Sequence, residues 1–135
     1  MEETVIVVML KNKNTGFLEK ELCSLDIKNN EEYIVNIYVM DNKLYIRLST
    51  GRDVEDWEYS AIFDYYDVDL YAGEAAEVAE IEDDYNPTWE ISLDYDDDVA
   101  ATEEKVNKIL SIHSKEIADV FETIKDKEQE YRDGE

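Results

Sequence analysis

The chain reads as an α+β domain: an antiparallel meander of about six strands packed by one long C-terminal α-helix. Three observations carry that expectation. Runs of β-branched residues bounded by turn signals fill the first fifty positions, as strands do. The segment Trp89 to Asp96 sets Trp89, Ile91, Leu93 and Tyr95 against Glu90, Ser92, Asp94 and Asp96, a period of two. Beyond Asp98 the period lengthens. Val106, Ile109, Leu110, His113, Ile117, Val120, Phe121 and Ile124 recur at three and four residues, as one face of a helix does.

Taken in order, Thr4 to Lys11 is a β-branched run and a buried strand. Asn12 to Gly16 carries turn chemistry, with Gly16 free to take positive φ. Phe17 to Ile27 makes a second strand, Lys28 to Glu32 a polar loop, and Tyr33 to Met40 a third strand. Asp41-Asn42 suits a two-residue hairpin turn. Lys43 to Thr50 then alternates with Leu44, Ile46 and Leu48 on one face. Trp57, Tyr59, Ala61 and Phe63 alternate with Glu58, Ser60 and Ile62, which predicts a fifth strand. Ala72 to Ala79 fits either a helical turn or a strand entry. Val78 to Asp84 and Trp89 to Asp96 form a hairpin with Pro87 in its turn. Asp97, Asp98 or Thr102 caps the helix, acids suit its first turn, and Lys115, Lys125 and Lys127 fall towards its end. The tail from Glu128 is polar and frays.

With 135 residues the chain is the usual size of a single domain. No internal repeat or boundary divides it. Residues 1–52 are near-balanced strands, 53–104 the acidic strands and hairpin, and 98–130 the helix. Ten Tyr, two Trp and three Phe separate it from disordered acidic chains, which are poor in aromatics. Cys23 stands alone, so no intramolecular disulfide forms and a reducing, cytoplasmic compartment is expected. In the apolar segment Leu22 to Ile27 it reads as a small buried hydrophobe rather than a reactive thiol. The N-terminus lacks the positive region of a signal peptide. The longest apolar run, Val5 to Leu10, is far short of the roughly 20 residues that span a bilayer. Anionic lipid would repel the chain, so no membrane partner is expected.

Charge is the outstanding feature. Between Asp53 and Glu104 the chain carries twenty carboxylates and no Lys, Arg or His, against a formal net charge of −23 for the whole. The other 83 residues hold sixteen acids and thirteen bases. Self-repulsion on this scale opposes compaction, which argues for a use. Solubility needs a net charge of only about 2–8. Halophilic adaptation would spread the acids and shed Lys, whereas ten Lys remain and the acids are segregated. A partner with a basic surface is the remaining explanation.

No catalytic pattern accompanies the charge, so an enzyme is not expected. The one histidine, His113, falls on the helix's apolar stripe, where a satisfied core imidazole is the simplest reading. One His and one Cys exclude zinc sites built from those residues. No Gly-rich loop is present to cradle a phosphate. Asp94, Asp96 and Asp98 occupy positions 1, 3 and 5 of a calcium-loop frame, but Val99 stands where Gly is needed and Lys105 where Glu is needed. Asp67 and Asp69 begin a second frame that fails at Ala72 and Val78. Weak divalent binding by Asp94 to Asp98 is the residual metal reading; no metal or cofactor is otherwise expected. A carboxylate pair for glycoside hydrolysis has no specificity among so many acids.

On strands, residues i and i+2 point the same way about 6.6–6.8 Å apart. Glu80, Glu82 and Asp84 would line one strand, and Glu90, Asp94 and Asp96 its partner, giving two carboxylate rows spaced like backbone phosphates. Tyrosines are interleaved, in Asp64-Tyr-Tyr-Asp67, Asp83-Asp-Tyr85 and Asp94-Tyr-Asp-Asp-Asp98, and tyrosine is favoured at interface hot spots. Tyr95 and Trp89 share a face with Ile91 and Leu93 and belong to the core, while at least one of Tyr65 and Tyr66 is exposed. The expected partner-binding set is Asp53, Glu55, Asp56, Asp64, Tyr65, Tyr66, Asp67, Asp69, Glu80, Glu82, Asp83, Asp84, Glu90, Asp94, Asp96, Asp97 and Asp98.

The pattern over Asp53 to Glu104 resembles in kind the acidic nucleic-acid-mimic inhibitors of phages and other mobile elements, the anti-CRISPR and anti-restriction proteins. That resemblance implies competition with DNA or RNA for the groove of a basic CRISPR effector or nuclease, without direct nucleic-acid binding. Ala61-Ile-Phe-Asp-Tyr-Tyr-Asp67 and Tyr85-Asn-Pro-Thr-Trp89 resemble stretches of small clostridial proteins of unknown role. This second resemblance implies instead an acidic adaptor that binds a basic protein in a low-GC Gram-positive bacterium. Sheet edges expected near Lys43 to Thr50 leave a dimer open.

Overall fold

The computed structural model describes residues 4–27, 30–74, 76–82, 84–96 and 98–133. It is an α+β fold with six strands, β1 (Thr4–Lys11), β2 (Leu18–Ile27), β3 (Ile34–Met40), β4 (Lys43–Ser49), β5 (Glu77–Ile81) and β6 (Thr88–Asp94). Three helices follow the chain: α1 (Asp56–Tyr65), α2 (Val99–Ile124) and α3 (Glu128–Asp133). Two 3-10 segments, Glu31–Tyr33 and Val68–Glu74, lie between them. The expected sheet with a long C-terminal helix is therefore present.

The strand order is β2-β1-β3-β4-β6-β5. Every neighbouring pair is antiparallel except β1 and β3, which run parallel through Met9–Tyr38 and Leu10–Val39. The sheet is thus mixed rather than a simple meander. The β1–β2 hairpin closes on one side of β1, and the chain returns to add β3 on the other. Lys43 to Thr50 carries no free edge, because β4 is hydrogen-bonded to β3 and to β6. The edges are β2 and β5.

Local chemistry explains the turns. Asp41 and Asn42 have φ of 55° and 64°, the left-handed pair of a type I′ turn that matches strand twist, and Met40 pairs with Lys43 across it. The segment Asp56–Tyr65, expected as a strand, is helix α1. Its aromatic alternation is compatible with period two, but Trp57, Ala61 and Ile62 are the residues it buries, spaced for one helical face. A capping box selects the helix: the Glu58 side chain accepts from the Glu55 backbone N–H at 3.0 Å.

Helix α2 runs 26 residues from the cap residue Asp98, whose carboxylate accepts from the Ala101 N–H at 3.3 Å. Its first turn holds no acid and its last turn no base, so Asp98 and the C-cap Lys125 provide the charges that meet the dipole. The tail does not fray as a polar segment. It forms α3, anchored on α1 by a Tyr131 hydroxyl that donates to Asp64 at 2.7 Å.

The helices cover one face of the sheet. Val8, Leu25, Ile37, Val39, Leu44, Ile46, Leu48, Trp89 and Ile91 meet Val106, Ile109, Leu110, Ile117, Val120 and Ile124 of α2. Cys23 is partly buried against this core as a free thiol. Phe121 is only partly buried, with the Arg52 guanidinium 4.0 Å above its ring. Truncating a fully buried side chain such as Ile46 or Leu110 removes transfer energy and leaves a cavity, a cost of about 2–5 kcal/mol.

Candidate partner-binding surface

The acidic stretch folds into α1, the segment Val68–Glu74, β5, the following loop and β6. Because β6 and β5 end the strand order, and the Tyr59 hydroxyl of α1 donates to the Glu82 carbonyl after β5, most of the cation-free stretch lies at one margin of the sheet. Its last acids, Glu103 and Glu104, belong to α2, and Glu103 reaches the β2 edge. The near-balanced strands β2, β1, β3 and β4 form the other side. Segregation in sequence becomes, for α1 through β6, segregation in space.

At one end of this margin Asp53 is exposed and accepts from the Asn86 amide at 3.0 Å, tying the β4–α1 loop to the β5–β6 loop. An open cleft of about 390 Å³ lies here, with Arg52, Asp53, Asp84 and Tyr85 among its walls. Tyr85 is 80% exposed. Glu55 and Asp56 begin α1 and Asp64 and Tyr65 end it, all exposed, with the Lys127 ammonium 5.3 Å from the Tyr65 ring. Asp67 accepts from the Asp69 N–H at 2.9 Å, which shapes the entry to the Val68–Glu74 segment. Glu80 is exposed on β5 and Glu82 on the turn after it. At the other end, Asp94, Asp96 and Asp98 are exposed beyond β6. Asp83 and Asp97 lie outside the described residues.

The paired carboxylate rows do not form. β5 ends at Ile81, so Glu82 and Asp84 leave the strand. The register pairs Glu80 with Trp89 and Ala79 with Glu90. Paired residues share a face, so Glu80 points to the helix side and Glu90 to the open side. Glu90 is half-buried and engaged, accepting from Arg47 Nε at 2.8 Å and from the Tyr38 hydroxyl at 3.0 Å. Burial, then the Glu90 charge and hydrogen bond, push Tyr38 up to about 12.

Few of the window's acids are neutralised. Glu55 meets Arg132 at 3.5 Å, Glu58 meets Arg52 at 3.1 Å, Glu74 meets Lys108 at 3.0 Å and Glu90 meets Arg47. Burial alone would raise the Glu58 carboxyl, but the Glu55 N–H and Arg52 hold it below the ordinary value. Among the described residues, Asp56, Asp69, Glu77, Glu80, Glu82 and Asp94 have no cation within ion-pair distance. Glu116 of α2 accepts from the Asp67 N–H at 2.8 Å, and burial followed by the nearby Asp67 and Asp119 charges raises its carboxyl. Also among the described residues, no three His, Cys, Asp or Glu side chains converge into a metal-binding group. Asp96 and Asp98 are tied instead by the Asp98 N–H donating to Asp96 at 2.8 Å.

Tyr66, expected on the binding surface, is buried. It stacks on Trp89 with centroids 4.1 Å apart and donates its hydroxyl hydrogen to His113. The hydrogen-bond direction is fixed by elimination. His113 Nε2 lies 2.7 Å from the Ser49 carbonyl, which only accepts, so Nε2 carries the hydrogen. Nδ1 then accepts from the Tyr66 hydroxyl at 2.8 Å, and the Tyr66 oxygen accepts from the Tyr71 hydroxyl at 2.5 Å. Burial lowers His113 to about 4, partly offset by the Ser49 carbonyl, and raises both tyrosines. Four segments are joined by this neutral chain: the end of α1, the Val68–Glu74 segment, α2 and the end of β4. The sequence places His113 on the stripe but gives no sign that Tyr66 and the Ser49 carbonyl are its partners, because those contacts join residues far apart in the chain.

Among the described residues, no helix is long and apolar enough to cross a membrane. Comparison with curated proteins finds no match, and comparison with solved structures finds none. The match to a family model covers residues 1–132, nearly the full length, and the chain belongs to that family of unknown function, DUF6762.

Proposed function

We propose that the protein is an acidic inhibitor of the nucleic-acid-mimic kind, which docks its β5 margin on a basic protein surface and excludes DNA or RNA from it. The observation that carries this reading is the collection of α1, Val68–Glu74 and β5, none of which contains a cation, at one side of the sheet. An uncompensated field of this kind steers a basic partner into fast, salt-sensitive association. A CRISPR effector or a nuclease is the partner type whose nucleic-acid groove presents the complementary charge.

One observation favours a second reading, an adaptor that binds a basic protein without competing with nucleic acid. Glu80 and Glu90 face opposite sides of the sheet, so the acids form a margin rather than two phosphate-like rows. Competition separates the two readings. With the partner obtained by affinity capture, the inhibitor displaces labelled nucleic acid, and the variant with Asp56, Asp69, Glu80 and Glu82 all changed to Lys does not. Binding that leaves the partner's nucleic-acid affinity unchanged assigns the adaptor role.

A further inference from the structure

The two edges of the sheet are finished differently. At the β2 edge, α2 engages one residue near the strand's end: the Asp26 N–H donates to Glu103 at 2.5 Å and Asn107 donates to the Asp26 carbonyl at 3.1 Å. At the β5 edge, no hydrogen bond among the described residues covers the outer side of Glu77–Ile81. An unpaired strand edge offers a row of backbone donors and acceptors to any chain that can approach it. Beside that edge lies an open groove of about 420 Å³ lined by Val68, Ala72, Ala76 and Val78 together with Asp69 and Glu77.

Charge decides which chain can approach. A second copy would set β5 glutamates against β5 glutamates, and like charges opposed across a ladder are destabilising. A strand bearing Lys or Arg meets attraction from Glu77, Glu80 and Asp69, none of which has a cationic partner among the described residues. We infer that the outer edge of β5 binds an extended basic segment of the partner protein by strand addition, with one of its aliphatic side chains in the adjacent groove. In this recognition mode main-chain hydrogen bonds supply affinity and side-chain pockets supply specificity. The inference rests on the reading that the partner is basic, and it names the element of the partner that is recognised.

The test uses the full chain and two synthetic ten-residue peptides of alternating Lys and Val. One is unmodified and the other is N-methylated at every residue, which keeps the charge and removes the backbone donors. Strand addition predicts that the unmodified peptide binds at least tenfold more tightly and slows amide exchange within Glu77–Ile81 at least tenfold. Equal binding of both peptides, or protection confined to the loops at Asp53 and Asp94, overturns the inference while leaving the acidic-surface reading standing. Binding by neither also overturns it, and the competition experiment above then judges the surface reading separately.

Discussion

The Tyr66 ring lies against Trp89 at 4.1 Å and 22°, and its hydroxyl is 2.8 Å from His113 Nδ1, so one side chain both packs the core and satisfies its only histidine. The acidic margin is built over this point, since α1 ends at Tyr65 and the chain turns inward at Tyr66 before Val68–Glu74.

Replacing Tyr66 with Phe keeps the stacking but leaves His113 Nδ1 and the Tyr71 hydroxyl without their Tyr66 partner in a buried site. A buried polar group left unsatisfied costs about 1–3 kcal/mol. Urea unfolding of Tyr66→Phe measures this. Tyr65→Phe, at an exposed ring on the same helix end, changes stability by less than about 0.5 kcal/mol.

His113 also sets a pH dependence. Its folded value, about 4, lies below the 6.5 of an exposed imidazole because burial opposes the charged form. Below pH 6.5 the unfolded chain therefore binds the proton that the folded chain refuses. Stability is full above 6.5 and is lost as pH falls towards 4, by about 2 kcal/mol at pH 5 and 3 at pH 4. Carboxylate protonation relieves repulsion in the opposite sense, so the unfolding series belongs in about 0.5 M salt, where repulsion is screened. Nitrogen-15 NMR of the imidazole checks the cause directly: His113 stays neutral, with its hydrogen on Nε2, at pH 5.

Self-repulsion at the margin predicts a stability that rises with salt. Melting temperature increases between about 20 and about 500 mM NaCl, because the screening length shortens several-fold over that range. The four-residue Lys variant at Asp56, Asp69, Glu80 and Glu82 melts at or above the parent temperature in low salt and shows a smaller salt response. A variant that unfolds would mean these carboxylates hold the fold together.

Asp98 belongs to a different class from the acids around it. It caps α2, and Asp98→Ala costs about 1 kcal/mol by removing that cap. Its circular dichroism melt separates it from Asp94→Ala, whose exposed carboxylate has no ion pair among the described residues and whose loss leaves stability within about 0.5 kcal/mol.

Much of the architecture was legible because its periods are strong. The Trp89–Leu93 face, the Leu44–Leu48 face and the α2 stripe except Phe121 are buried as their spacing required. Asp41-Asn42 turned as its chemistry demanded. Trp57 to Phe63 misled because aromatic alternation fits two periods, and the capping glutamates Glu55 and Glu58 decide between them. The parallel β1–β3 pairing and the placing of β5 outside β6 are long-range choices with no local signature. For the same reason the acidic margin was legible as charge, while its geometry was not. Whether Glu80 and Glu90 share a face depends on a register that one residue of slip inverts.

The most direct test of the central claim is affinity capture from lysate of the native host at low and moderate salt, run with the parent chain and its four-residue Lys variant. The account predicts that the parent retains a basic nucleic-acid-binding protein, released by salt and by competing DNA or RNA, and that the variant does not. Retention of the same proteins by both chains, unaffected by nucleic acid, would contradict it.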